Sequence, residues 1–183
     1  MPVALPAQTR AFVARLGVDT VAVERISRRG NTVEGAVARQ TPTATVLRYT
    51  LTFNPDSSIA SYRESIFRPD GTPVRSVPQG DAQTDMKMTF VGDTVVREVS
   101  QNGKAIVLRN GAAGLTLPAV GGTSPYWQEL VVQAVKRKNA SSFGFYSFSP
   151  NQTMPTIFEI RTIGADSAEI MVPAGIPPRL QAG

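Results

Sequence analysis

The stretch RAFVARLGVDTVAVERISRRGNTVEGAVAR, residues 10 to 39, contains three runs of β-prone residues separated by two short turns. Residues 12–16, 20–27 and 32–39 are rich in Val, Ile, Thr and Phe, which favour extended strands. Residues 17–19 and 28–31 carry the Gly, Asp and Asn that turns require. The chain is therefore predicted to open with an antiparallel ladder of three strands.

The same alternation of strands and turns continues through most of the chain. Residues 46–54 contain the cleanest alternation, in which every second residue from 47 to 53 is apolar and those between are polar. This pattern is typical of a half-buried antiparallel strand. Further strands are predicted at residues 59–68, 86–90, 94–100, 105–109, 142–149, 156–163 and 167–172. These elements predict a mainly β fold, a curved antiparallel meander (half-barrel or open barrel) of about ten strands packed on one α-helix.

That helix is predicted at about residues 125–138, where the period of the pattern changes. Ser124 has the chemistry of an N-cap, and Pro125 suits the first helical position because its missing N–H costs nothing there. Apolar residues then recur at helical spacing. The glycines at 121 and 122 resemble a phosphate cradle, but no Walker lysine follows and the dinucleotide spacing is absent. The N-cap interpretation is therefore favoured.

Length and composition predict one ordered domain. The chain has 183 residues, of which 42% are hydrophobic and 18% charged, a balance that supports a packed core. We assign residues 10–172 to a single β-rich domain. Residues 1–9 are interpreted as an N-terminal tail or the remnant of a signal peptide, and residues 173–183 as a Pro-rich C-terminal tail.

The formal net charge of +5 permits an acidic partner, but the arginines are scattered singly along the strands. The one compact basic cluster, residues 136–138, falls at the predicted C-terminal end of the helix, where it complements the helix dipole. Nucleic acid is therefore disfavoured as a partner. No apolar run is long enough to predict a transmembrane segment.

The chain contains no histidine and no cysteine. This composition excludes disulfides, thiolate nucleophiles, Cys/His zinc sites and Ser-His-Asp catalysis. We predict no cofactor, no metal site and no enzyme activity. A hydrolase that uses two carboxylates is the one catalytic alternative left open, because it needs only two acids at a suitable separation.

A short internal echo draws attention to acidic residues. Asp19-Thr20-Val21 followed by Glu24 recurs as Asp93-Thr94-Val95 followed by Glu98, with a fainter copy at residues 164–169. The carboxylates could form a cation site, but a calcium loop needs several oxygen ligands in one short segment. Asp19 and Glu24 are therefore interpreted as turn and edge residues of a repeated hairpin.

The candidate ligand site is apolar. Met is adaptable and common at apolar binding surfaces, and a curved meander closed by one helix tends to enclose interior space. The residues predicted to line this site are Tyr49, Leu51, Phe53, Met86, Met88, Phe90 and Trp127. The alternative is that the same side chains simply fill the core.

The phrases at residues 13–25 (VARLGVDTVAVER) and 46–51 (VLRYTL) look like those of uncharacterised exported bacterial domains. Together with the long meander and single amphipathic helix, they resemble the half-barrel lipoprotein-carrier (Lol-like) superfamily over residues 10–172. The resemblance implies a periplasmic or surface location and a concave apolar face for lipid or acyl chains. Lol-like carriers usually have more than one helix, and this chain is predicted to have one.

These observations lead to a non-catalytic, exported binding module as the expected function. Its expected partner is a lipid or hydrophobic small molecule, or a lipidated protein, on the concave face. The alternative is an accessory interaction domain of a cell-envelope protein, with a filled core and an envelope protein as partner. A pocket on the concave face would favour the first, and a packed interior the second.

Overall fold

The computed structural model describes residues 7–40, 43–74, 85–101, 104–111, 115–118, 124–138, 142–148, 156–164 and 168–171. Residues 102 and 103, between two predicted strands, residue 166 of the faint echo, residues 1–6 and the predicted tail at 173–183 lie outside these ranges.

Twelve strands and one helix make up the described chain. The strands are β1 (Gln8–Leu16), β2 (Asp19–Arg29), β3 (Thr32–Arg39), β4 (Thr45–Phe53), β5 (Ile59–Phe67), β6 (Asp85–Val91), β7 (Thr94–Gln101), β8 (Lys104–Gly111), β9 (Leu115–Pro118), β10 (Ser142–Phe148), β11 (Thr156–Thr162) and β12 (Ala168–Met171). The helix, α1, spans Pro125–Lys138 and lies between β9 and β10.

The predicted mainly β meander with one helix is confirmed. Strands β1 to β8 form one open sheet in which every neighbouring pair is antiparallel and consecutive in sequence. The last four strands form a second sheet in the order β12-β11-β10-β9, instead of extending the first. The reason is the helix: β9 and β10 are joined through α1 and pair in parallel, as a helical crossover allows and a short turn does not.

Glycines with positive φ stand in three hairpin turns of the first sheet. Gly17 and Gly30 have φ of 63° and 59°, and Gly92, between β6 and β7, has φ of 53°. Each stands at the first central position of a two-residue turn, a position that favours glycine in type II′ turns. These turns set the register and therefore decide which side chains face the core.

One face of the eight-stranded sheet, here called the inner face, carries the core. Buried side chains from β2 to β7 join Tyr126, Trp127, Leu130 and Val131 of α1 and Ile160 of β11 in one cluster. The apolar face predicted for the helix is therefore confirmed where its side chains are described. The other face of the sheet, the outer face, carries the alternating polar residues.

The helix contacts the sheet at its first strand. Phe12 of β1 and Tyr126 of α1 lie with ring centroids 6.4 Å apart. Beside them, Arg10 forms an ion pair with Glu129, with an N–O distance of 2.8 Å. These contacts place α1 over the inner face at the β1 edge of the sheet.

A glycine on β3 makes room for a tyrosine from β4. A Cβ built on Gly35 would lie 2.1 Å from Cζ of Tyr49 and 2.4 Å from its hydroxyl oxygen. Gly35 and Tyr49 are register partners, so the ring lies across the glycine toward β2. There the Tyr49 hydroxyl donates a hydrogen bond of 2.7 Å to Glu24. Any side chain at position 35 would occupy the space of this buried ring.

We expect Gly35→Ala to lower the free energy of unfolding by about 1–3 kcal/mol, because the ring is buried and hydrogen-bonded and cannot move without losing its partner. Urea denaturation measures this change. Ala38→Val, an exposed site on the same strand, is the control and should stay within about 0.5 kcal/mol. In a Tyr49→Leu background, Gly35→Ala should no longer destabilise the protein. An equal loss of unfolding free energy in that background would contradict the contact between Gly35 and the Tyr49 ring.

Candidate functional site

A buried carboxylate organises the inner face near the helix. Glu24 is fully buried and accepts three hydrogen bonds. Oε1 accepts from the Tyr49 hydroxyl at 2.7 Å and from the Ser124 hydroxyl at 2.7 Å, and Oε2 accepts from the Tyr126 N–H at 2.8 Å. Charge-assisted bonds of this length offset the cost of burying a carboxylate. The network links β2, β4 and the start of α1.

The interpretation of Glu24 as an edge residue is therefore wrong. The echoed motifs differ in phase because Asp19 is the first residue of β2, whereas Asp93 belongs to the turn before β7. One residue of offset reverses the face on which the following side chains lie. Glu24 consequently points into the core, and Glu98 is exposed and forms an ion pair with Lys87.

The N-cap prediction at the helix is confirmed. The Ser124 hydroxyl accepts a hydrogen bond of 3.1 Å from the Trp127 N–H, and the helix begins at Pro125. The carboxyl group at this helix N-terminus is that of Glu24, which accepts a hydrogen bond from the Tyr126 N–H. The described start of the helix therefore has an internal carboxyl partner. Residues 121 and 122, the glycines that resemble a phosphate cradle, lie outside the described ranges.

A second buried acid lies further along the inner face. Glu64 accepts a hydrogen bond from the Tyr62 hydroxyl on the same strand, and both side chains are buried. Burial raises the pKa of Glu64 to about 7, while the Tyr62 bond and the positive charge of Arg39 partly oppose the rise. Burial also raises the pKa of the Tyr62 hydroxyl. The carboxyl therefore titrates near neutral pH.

The structure brings the predicted apolar residues together as part of the core. Six are buried and Phe90 packs against them as a partly buried neighbour; the full set is Tyr49, Leu51, Phe53, Met86, Met88, Phe90 and Trp127. The sequence thus identified residues that share one face. In the described part of the chain they contact other core side chains, including Tyr62 and Val95.

An open groove of about 530 Å³ lies across β1 to β5 on the outer face. Its side chains form two rows in which each residue is the register partner of the next. The first row is Thr9, Ser27, Glu34, Thr50 and Arg63. The second row is Arg25, Ala36, Arg48 and Ser65. Of these nine side chains, four carry a hydroxyl group and three carry a guanidinium group.

The groove is positively charged, because it holds three arginines and one outward-facing glutamate. Within the described residues, the ion pairs join Arg10 to Glu129 and Lys87 to Glu98, and neither includes an arginine of the groove. Arg48 lies over the ring of Phe67, 5.1 Å from its centroid, which orients its guanidinium. The single signal in the sequence was the alternation of Arg with small polar residues on neighbouring strands.

The groove does not bring two acids together for hydrolysis. Glu34 is its one outward carboxylate among the residues with described side chains, since the Glu64 side chain lies on the inner face with Tyr62. Across the described chain no cluster of three metal-ligating side chains is found. The groove can therefore bind an anion through its arginines, and the two-carboxylate hydrolase stays a prediction without a matched pair of acids at this site.

No family model, curated protein or solved structure matches this chain. The resemblance to Lol-like carriers therefore stays a prediction. No helix among the described residues is long and apolar enough to span a bilayer.

We expect Glu24→Gln to lower the free energy of unfolding by on the order of 3 kcal/mol. Glutamine keeps one acceptor oxygen, and its amide group would meet an N–H or O–H donor where the carboxylate had an acceptor. Urea denaturation checks the change, with the exposed Glu34→Gln on β3 as the matched control. Equal effects of the two substitutions would show that the Glu24 network contributes no special stability.

Glu64 makes stability depend on pH. An ordinary glutamate has a pKa of 4.5 and Glu64 titrates at about 7, so between these values the folded state binds the extra proton. The free energy of unfolding should therefore fall by about 3 kcal/mol as the pH rises from about 4.5 to about 7, and level off above that. The chain has no histidine, so no imidazole ionises in this pH range.

Glu64→Gln should remove this dependence, because glutamine does not ionise and can still accept the Tyr62 hydrogen bond. The measurement is the urea midpoint across this pH range for the wild type, Glu64→Gln and the control Glu34→Gln. A slope that survives in Glu64→Gln would assign the titration to another group.

Proposed function

We propose that this protein is a non-catalytic binding module that holds an anionic ligand in the outer groove of its eight-stranded sheet. The observation that carries the proposal is the set of three arginines Arg25, Arg48 and Arg63 on β2, β4 and β5, none of which forms an ion pair in the described part of the chain. Guanidinium groups bind carboxylate and phosphate through paired N–H donors. The proposal shares a filled core with the alternative of an accessory interaction domain of a cell-envelope protein, but its ligand is an anionic group and not a protein.

The register of β2, β3 and β4 supports a defined binding site for one anionic group. Arg25 and Arg48 are both partners of Ala36, one from each side, so they stand two strand spacings apart, or about 10 Å. Because the side chain of Ala36 is only a methyl group, the space between the two arginine side chains stays open. Arg48 would have to leave the ring of Phe67 for two guanidinium groups to converge on one phosphate or carboxylate above Ala36. Its long, flexible side chain allows this movement.

The hydroxyl row beside this binding site adds neutral partners. Ser27 and Thr50 flank Glu34 on the neighbouring row, and a ligand that carries its own hydroxyl groups could exchange hydrogen bonds with them. Glu34 would repel a second anionic group placed over that row. The groove therefore favours a ligand with a single compact anionic group and a polar neutral extension.

The predicted apolar site on the inner face is not used by this proposal. An apolar ligand there would have to displace buried side chains such as Leu51 and Met88, at the cost of the contacts that they make. Export to the periplasm or outside the cell remains part of the expected function. The proposed partner is a small anionic molecule or the anionic group of an envelope component.

The test is an NMR titration with inorganic phosphate, which follows backbone amides and arginine Nε–H signals. We expect the largest shifts at Ala36 and at the Nε–H groups of Arg25 and Arg48, with an affinity in the range of about 1 mM that weakens as chloride is added.

The variant Arg25→Gln/Arg48→Gln should lose these shifts. The matched control is Arg109→Gln, an exposed arginine on β8 outside the groove, which should leave them unchanged. Shifts that persist in the double variant, or that map to other strands, would contradict the proposal.

A further inference from the structure

An apolar surface patch lies on the first hairpin, next to the groove. Leu16 and Val18, at its turn, are 75% and 93% exposed. Val13 and Val23 are register partners on the outer face, and they are 54% and 39% exposed. The other large exposed hydrophobics among the described residues are Val91 on β6, Val107 on β8 and Ile163 just after β11. We call Val13, Leu16, Val18 and Val23 the hairpin patch.

Two arginines flank this patch, and the second of them also lines the groove. Arg15 precedes Leu16 in the chain and is exposed. Arg25 follows Val23 by two residues on the same face of β2 and is the first arginine of the groove. Asp19, at the start of β2, is the one acid beside the turn. The outer face of this corner therefore passes from exposed apolar residues to a positively charged groove.

We infer that the hairpin patch lies on the surface of an anionic lipid bilayer, and that the groove beside it takes a lipid phosphate. Exposed aliphatic side chains flanked by arginine match the boundary between acyl chains and phosphates, where arginine keeps its charge in the headgroup layer. Basic residues near such a surface each add to the attraction. This inference rests on the proposed function and names the source of its anion.

Charge favours a membrane over a second copy of the chain as the occupant. A symmetric dimer through the hairpin patch would bring Arg15 and Arg25 of one copy toward the same residues of the other. Like charges at an interface oppose association. An anionic bilayer has the opposite charge to the patch surroundings and agrees with the net charge of +5.

The test is co-sedimentation of the full chain with vesicles of equal parts phosphatidylcholine and phosphatidylglycerol, compared with vesicles of phosphatidylcholine alone. We expect binding to the anionic vesicles, with loss at high salt. Leu16→Glu/Val18→Glu should weaken binding by about tenfold or more, because it removes the apolar contact and adds repulsion. Val91→Glu/Val107→Glu, which adds the same charge at exposed valines elsewhere, is the matched control.

The outcomes separate this inference from the proposed function. If Leu16→Glu/Val18→Glu weakens vesicle binding no more than the control does, or if the wild type binds neutral vesicles equally well, the inference is overturned. A wild type that is dimeric by analytical ultracentrifugation and becomes monomeric in the patch variant also overturns it. The phosphate titration should stay unchanged in the patch variant; its failure in the wild type removes the proposed function itself.

Discussion

The structure depends on the burial of the Glu24 carboxylate between the sheet and the helix. Three donors from two other elements converge on it: the Tyr49 hydroxyl, the Ser124 hydroxyl and the Tyr126 N–H. A buried carboxylate without these bonds would cost several kcal/mol, so the helix can dock only where its N-terminus meets β2. The ion pair of Arg10 with Glu129 is exposed, so it helps to orient the helix on the sheet but adds little to the free energy of unfolding.

The same network explains a glycine inside a strand. Gly35 weakens β3 locally because glycine has no side chain to pack and loses more backbone entropy on folding. Its lack of a Cβ lets Tyr49 cross β3 and reach Glu24. The aromatic ring then covers the gap that the glycine leaves. The lower stability of β3 at Gly35 is thus offset by the Tyr49–Glu24 hydrogen bond, which belongs to the network that links β2 and β4 to the helix.

Much of this fold follows from local pattern, and the rest depends on contacts between distant residues. Alternation and turn chemistry predicted β1 to β8 to within a few residues, and Ser124 identified the helix start. The burial of Glu24 could not be predicted, because it depends on whether Asp19 belongs to the turn or the strand. The second sheet was missed because a parallel pair requires knowing where the helix returns the chain. The groove could not be predicted, because its lining depends on the register of five strands and no single segment of the sequence determines that register.

Register connects the core of this sheet to its proposed binding surface. Side chains alternate along each strand, so the positions that place Glu24 and Ile26 in the core also place Arg25 and Ser27 in the groove. A slip of one residue in β2 would bury Arg25 and expose Glu24 together. The turns at Gly17 and Gly30 hold β2 against both neighbours and prevent that slip. A change that shifts the register of β2 would therefore disturb the core and the groove together, although no side chain is shared between the two faces.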